Sequence, residues 1–427
     1  MATSNLRTTE WLYLALITTL PILSLSVVAQ RATNVALSDL FFVAAFGCWM
    51  LDFLKGHAKL RRSWFYLPLA LYLVAVICSA LLSINPLQSA VKLLGKIYLI
   101  ALAVMTFNLV TTLAFFRRVA EAWLIGTTVT VIVCLLAIAM FYAGFGESTK
   151  YLSYDYASLP VGNYPRVRGL SGFPALLCNY LNISLMIVIA MRLAGWLSAR
   201  WFWLLITGIC ISALFSFSPG LGGVYLSAGL SVWLWLRSRK YERGARLVLA
   251  GSIALAIAIF LSAAVLLFDR VPQGIYSPLL QGQLRPSARA LLWHGAFQTF
   301  TQHPIFGNGV GTKVANVRFI VPSGKEHVLS DAHNTLLSIA AETGLFGLLS
   351  FAAVIVFLLR KQLPLSFSNG LDQTIRTCFV IALIGALFYQ SLTGSFEDSR
   401  HLWILFGLIV SASQAWADDV SREKVIE

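Results

Sequence analysis

The amino-acid sequence predicts an all-α polytopic membrane protein, and three observations carry that prediction. Hydrophobic residues make up 58% of the 427 and charged residues only 12%, too few to cover a soluble body of this size with solvated groups. The apolar residues gather into about twelve runs near the roughly 20 residues that a helix needs to cross hydrocarbon, and well beyond the ~10 of a barrel strand. Lys and Arg cluster in alternate connections, as cytoplasmic loops do.

The runs follow in order: Trp11–Ala29, Ser38–Leu54, Trp64–Ser83, Ala90–Val110, Trp123–Gly144, Phe173–Met191, Trp201–Phe217, Leu221–Leu236 and Leu247–Phe268. After a polar interval come Ala340–Leu359, Thr377–Thr393 and Leu402–Ala415. The first is too long for a signal peptide and has no small-residue cleavage site, so it is expected to remain. Dense basic clusters set the orientation: Lys55 to Arg62, Arg117 and Arg118, Arg192 and Arg200, Arg237 to Arg246, and Arg360 to Arg376. These belong in the cytoplasm, and an even number of spans places both termini there. Three regions follow: residues 1–268 with nine spans and a polar outer loop near 147–172, a long outer loop at 269–332, and residues 333–427 with the last three spans. Within the long loop, Ser287 to Gln302 reads as an amphipathic helix with Ala288, Leu291 and Phe297 on one face. From His333 the chain is expected to turn helical and run into the tenth span.

The outer side carries more cations than insertion favours. Lys92 and Lys96 lie at the end of an apolar run, Arg166 and Arg168 in the shorter outer loop, and Arg285 and Arg289 in the long one. A long loop translocates whatever its charge, but the first four residues are not in it. They point to an anionic ligand at the outer leaflet, although Lys92 and Lys96 also fit snorkelling to the interface. Tyr151, Tyr154, Tyr156 and Tyr164 crowd the shorter loop, as an interfacial belt or as platforms for sugar rings. Five of the six histidines fall outside: His294, His303, His327, His333 and His401. The six cysteines lie within or beside apolar runs, which argues against a disulfide framework or thiolate site. The histidine spacings match no usual zinc pattern. No phosphate-cradling nucleotide loop is present, since Gly307, Gly309 and Gly311 lack the Lys-Ser/Thr ending of a Walker loop. Nucleic acid is not an expected partner, and the ionisable groups sit at span ends, as suits an enzyme better than a transporter.

One constellation is dense enough to resemble a family. It reads Arg289-x3-Trp293, then Pro304-x2-Gly307-x-Gly309-x-Gly311, then Ala332-His333-Asn334-x2-Leu337 and Glu342-x-Gly344-x2-Gly347. This resembles the O-antigen ligase/polymerase superfamily, and more narrowly the lipopolysaccharide O-antigen ligases. The resemblance implies a multi-pass protein of the bacterial inner membrane with its active face in the periplasm. It implies a glycosyltransferase needing no metal or cofactor. Its donor is O-antigen on undecaprenyl diphosphate, and its acceptor the lipid A–core oligosaccharide within the membrane lipids. Polymerases and protein O-oligosaccharyltransferases share the donor, so the acceptor stays open. By resemblance the catalytic histidine falls on His333 and the loop arginine on Arg289. Where many members read Ser-Arg-Gly, this chain reads Ser218-Pro219-Gly220, leaving Arg166 or Arg168 to supply a missing cation. Arg285 and Arg289, four apart, would present two guanidiniums to a diphosphate if helical. A neutral His333 imidazole suits removal of the acceptor hydroxyl proton. Asp331 or a backbone carbonyl is the expected partner of His333, and Asp331, Asn334 and Lys96 are the supporting residues. Glu342, nine residues on, would point away from His333 on a continuous helix.

Overall fold

Each of the twelve apolar runs holds a helix. The computed structural model describes residues 7–23, 26–30, 33–145, 152–156, 164–269, 275–277, 282–286, 288–320, 326–360, 363, 365–367, 370–392 and 399–426. Among these, thirteen helices are seen: α1 (Thr8–Thr19), α2 (Leu37–Leu54), α3 (Tyr66–Leu81), α4 (Pro86–Leu109), α5 (Leu113–Tyr142), α6 (Pro174–Leu193), α7 (Ala199–Leu214), α8 (Leu221–Ser238), α9 (Glu242–Val265), α10 (Ala288–Gln302), α11 (Thr335–Arg360), α12 (Leu371–Gln390) and α13 (Arg400–Ile426). Seven are long and apolar enough to cross a membrane, and those at Tyr66–Leu81, Ala199–Leu214 and Arg400–Ser413 are shorter apolar helices. The protein is an all-α, multi-pass membrane protein. Its strands are short pairings in the connections, outside the helical core.

Local chemistry sets several helix starts. Asn85 caps α4 by accepting from the Gln88 N–H at 3.4 Å, with Pro86 at the first helical position, where its missing N–H costs nothing. Thr112 caps α5 through the Phe115 N–H at 3.2 Å, and Pro174 opens α6. The first run departs from the expectation of one long helix. α1 stops at Thr19 because Pro21 has no N–H to extend the ladder, and the chain pairs β1 (Ser26–Gln30) with β2 (Thr33–Ala36) instead. Likewise the end of the ninth run becomes β5 (Leu266–Asp269), which pairs with β7 (Gly282–Pro286) beside β6 (Ile275–Ser277).

The core helices are α6, α12 and α13. Residues 177–188 of α6 and 401–412 of α13 are all buried. α12 packs on both α6 and α8, α13 on α4 and α12, α3 on α4 and α11, and α1 on α2 and α5. The α8–α12 contact is close enough that a Cβ on Gly223 would strike the Gly385 carbonyl, the kind of approach that small residues permit between spans. Outward stripes are large and apolar. On α5, Ile125 (56% exposed), Val129, Ile132 and Leu136 recur at helical spacing, a face that only hydrocarbon would solvate comfortably.

α10 spans nearly the range expected for it, but its buried face differs. Leu292 and Ala296 are fully buried, while Leu291 and Phe297 are 60% and 53% exposed. The reason is tertiary: Ala296 packs with Val314, Ala332, Ala341 and Leu337, so the small residues face α11. His401 is only 4% exposed at the head of α13, with its ring edge-on to Tyr180.

Candidate active site at the head of α11

The site is built outward from His333. Asn334 is the N-cap of α11: its Oδ1 accepts from the Leu337 N–H at 3.1 Å and its carbonyl from the Ser338 N–H at 2.9 Å. Ala332 is fully buried on one side, so His333 is held between an anchored alanine and a capping asparagine. Its backbone sits at φ 48°, a positive value found at only three non-glycine residues among those described. Such a conformation costs an L-residue about 1–2 kcal/mol and persists where surrounding contacts over-determine it. Asp331 supplies one such contact by accepting the His333 N–H at 3.1 Å. The other Asp331 oxygen lies 3.6 Å from His333 Nδ1. That is too long for a hydrogen bond but close enough to attract an imidazolium. The two side chains are 40% and 43% exposed, so the ring stays open to a substrate.

α11 is not one helix. Gly344 breaks it, at φ 66° and ψ −166°, in a region that is essentially glycine-only. This corrects the expectation that the chain runs as one helix from His333 into the tenth span. The glycine-rich loop fills the break. Its Asn308 and Gly309 N–H groups donate to the Ala341 and Glu342 carbonyls at 2.9 and 3.1 Å. In return, the Leu345 and Phe346 N–H groups donate to the Pro304 and Ile305 carbonyls at 2.8 and 3.3 Å. Two carbonyls at one helix end and two N–H groups at the other thereby find backbone partners. The approach is tight: a Cβ on Gly344 would collide with the Ile305 carbonyl, and one on Gly307 with the Glu342 backbone. The glycines thus dock the loop onto α11. α3 holds the helix side of this joint and α4 the loop side. Ser79 donates to the Glu342 carbonyl and Ser89 to the Val310 carbonyl, at 2.6 and 2.7 Å. Gln88 donates to the Gly311 carbonyl at 2.6 Å.

The cations converge on the same end of the bundle. Arg289, on the first turn of α10, donates from Nε to the Leu392 carbonyl at 3.1 Å, just past α12. The last α12 residue, Gln390, accepts from the Thr335 hydroxyl at 2.7 Å, next to Asn334. Arg166 lies on β4 (Tyr164–Val167), which pairs with β3 (Ser153–Tyr156). Its Nε donates to the Ser216 carbonyl at 3.2 Å. Ser216 leads into Ser218-Pro219-Gly220, and a Cβ on Gly220 would strike Tyr389 of α12. Arg168 is turned toward its own loop, with Nη1 3.4 Å from the Gly172 carbonyl. Tyr164 packs edge-on to Phe217 at 5.9 Å, whereas Tyr151 and the side chains of Tyr154 and Tyr156 lie outside those described. Lys96 is only 2% exposed, with its ammonium 5.9 Å from the Tyr72 ring centre.

Arg285 does not share a helix face with Arg289. It lies on strand β7, just before Pro286 and ahead of the start of α10. A residue preceding proline is pushed toward extended backbone. The Arg285 side chain is outside those described.

One cluster at this end was not anticipated from sequence. Arg400 forks onto Asp39 with Nε and Nη2 at 2.7 and 2.8 Å from the two carboxylate oxygens. Tyr98 donates to the same carboxylate at 2.9 Å. The pair is 16% and 18% exposed and joins α2, α4 and α13. The available signal was an acidic residue at the head of the second run, where Asp39 also accepts the Ala36 N–H at 2.8 Å.

Sequence comparison agrees with the geometry. No curated protein gives a significant match to the chain. The family model described as O-Antigen ligase, Wzy_C, matches residues 220–352. That segment runs from Gly220 through α8, α9, Arg289 and the glycine loop to His333 and the break in α11. The match covers about a third of the chain and takes in the residues that build the site, so this segment is similar to the O-antigen ligase family.

Proposed function

We propose that the protein is an inverting glycosyltransferase of the bacterial inner membrane. It moves O-antigen polysaccharide from undecaprenyl diphosphate to a sugar hydroxyl of lipid A–core, on the periplasmic face and without a metal. The observation that carries this reading is the half-exposed His333, strained and held by Asp331 at the head of α11. It lies within the family-matched segment and at the bundle end that gathers Arg289 and Arg166.

In this reading His333 is the general base. Asp331 lies on the Nδ1 side of the ring, which leaves Nε2 as the nitrogen that takes the acceptor hydroxyl proton. The acceptor oxygen bonds to the anomeric carbon as the bond from that carbon to the phosphate oxygen breaks. The electron pair leaves with undecaprenyl diphosphate, the configuration inverts, and the proton ends on the imidazole, where Asp331 offsets the new charge. Arg289, Arg166 and Arg168 favour the departing diphosphate by charge-assisted hydrogen bonding, with Arg285 as a further member of that set. Asn334 and Lys96 support the site by shape, the first by capping α11 and the second by placing a buried cation on α4. A positioned base of this kind contributes about 10²–10⁴-fold.

The test supplies purified wild-type and His333→Ala protein with undecaprenyl-diphosphate glycan and lipid A–core, with EDTA and without ATP. Products are resolved by gel. Glycan on lipid A–core with wild type, and at least a 100-fold loss in the folded variant, is the expected result. Full activity in the variant refutes the role of His333. Longer lipid-linked chains would reassign the acceptor to another lipid-linked glycan, and a glycosylated protein to Ser or Thr.

A further inference from the structure

From the joint between α11 and the glycine loop we infer that Glu342 is a positioning residue: its carboxylate locks the loop to the helix that carries His333. The inference rests on the function proposed for His333. Glu342 lies at the end of the first half of α11, just before the break at Gly344. Its Oε2 accepts the Gly311 N–H at 2.8 Å. Its own carbonyl accepts two more bonds, from Ser79 at 2.6 Å and the Gly309 N–H at 3.1 Å. One residue therefore fastens the far end of the glycine loop by its side chain and the near end by its backbone.

The geometry separates this role from chemistry at the reacting atoms. α11 begins at Thr335, and a helical rise of about 1.5 Å per residue puts Glu342 roughly 10 Å along the axis from that start, with its carboxylate turned to the Gly311 N–H. The short first half of α11 can transmit position over that distance, because both its ends are tied. Asn334 caps one end, and the Gly309–Gly311 contacts hold the other. The loop side is anchored as well: Gln88 and Ser89 of α4 bind the Gly311 and Val310 carbonyls, and Gly311 lies against the Lys92 stem. Without the carboxylate, the Gly311 N–H loses a charged acceptor, and such bonds are roughly twice as strong as neutral ones. The first half of α11 then moves relative to α4, and His333 moves with it. Small misplacements of a catalytic group suffice to lower turnover.

The experiment uses full-length protein with Glu342→Ala, Glu342→Gln and Ser79→Ala, assayed with lipid-diphosphate glycan and lipid A–core. Glutamine keeps an oxygen for the Gly311 N–H, whereas alanine keeps nothing. We expect Glu342→Ala to lower kcat at least about 10-fold with donor KM within twofold. Glu342→Gln should retain at least a third of wild-type kcat, and Ser79→Ala should lose several-fold. Hydrogen exchange gives a readout independent of activity, with faster exchange confined to residues 307–311 and 335–343. Wild-type kcat in Glu342→Ala overturns the inference, as does equal loss in Ala and Gln variants or unchanged exchange at those segments. If Glu342→Ala does not fold, Ser79→Ala decides: wild-type kcat and exchange in it overturn the inference. An inactive wild type with localised exchange changes in the variants refutes the transferase reading while leaving the joint intact.

Discussion

Gly344→Ala is the sharpest perturbation of this structure, because one added methyl tests the break in α11 directly. At φ 66° and ψ −166°, a side chain in the glycine-only region costs about 1–3 kcal/mol. The new Cβ also falls on the Ile305 carbonyl and the Phe306 N–H, and overpacking of this kind costs a further ~1–3 kcal/mol. Alanine returns about 0.4–1 kcal/mol by restricting the unfolded chain. The net destabilisation is therefore roughly 1–6 kcal/mol. Unfolding entropy near 2.1 cal/mol/K per residue, taken over 427 residues, makes about 0.9 kcal/mol correspond to one degree. The melting midpoint in detergent should fall by roughly 1–6 °C. Gly251→Ala is the control. That glycine lies within α9, and nothing stands within 4 Å of the place its new methyl would take, so the same substitution should stabilise by ~0.5–1 kcal/mol. Opposite signs at the two positions support a tertiary break at Gly344. A Gly344→Ala protein that melts at or above wild type would refute the strained break and the close approach together.

Two further expectations follow from the ionic groups. Asp331→Asn removes a charge that faces His333 from 3.6 Å, with both side chains about two-fifths exposed. Pairs this exposed are worth about 0.2–1 kcal/mol, so kcat should fall by no more than about fivefold. A loss above 100-fold in steady-state assays would show that Asp331 has a larger role than orienting and offsetting charge. The Arg400–Asp39 pair is mostly enclosed and bidentate, and removing one partner of a buried pair costs ~3–5 kcal/mol. Asp39→Ala should therefore lower the melting midpoint of detergent-solubilised protein by roughly 3–6 °C; an unchanged midpoint would deny the pair a structural part.

Twelve helices were legible because hydrocarbon imposes a length and composition on any segment that crosses it. The long loop, the helix at its centre and the density of chemistry around His333 were legible for a related reason: polar residues stand out against apolar runs. Local stereochemistry explains part of what was misread. Pro21 ends α1 early, readable from the chain but outweighed by the apolar pattern, and Pro286 keeps Arg285 extended, outweighed by its four-residue spacing to Arg289.

The remainder was settled by contacts between residues far apart in sequence. Arg400 meets Asp39 across 361 positions and Arg289 meets Leu392 across 103, and no periodicity encodes either. The buried face of α10 was misassigned because Ala296 and Leu292, less conspicuous than Phe297, are the residues that fit against α11. The glycines of Pro304–Gly311 announced a special backbone but not its partner. Sequence alone determined which segments enter the membrane, since burial in lipid depends on each segment's own composition. Only the tertiary structure decided that α11 breaks at Gly344 and that a distant loop completes it. A helix break is stable only when another part of the chain supplies the hydrogen bonds it leaves open.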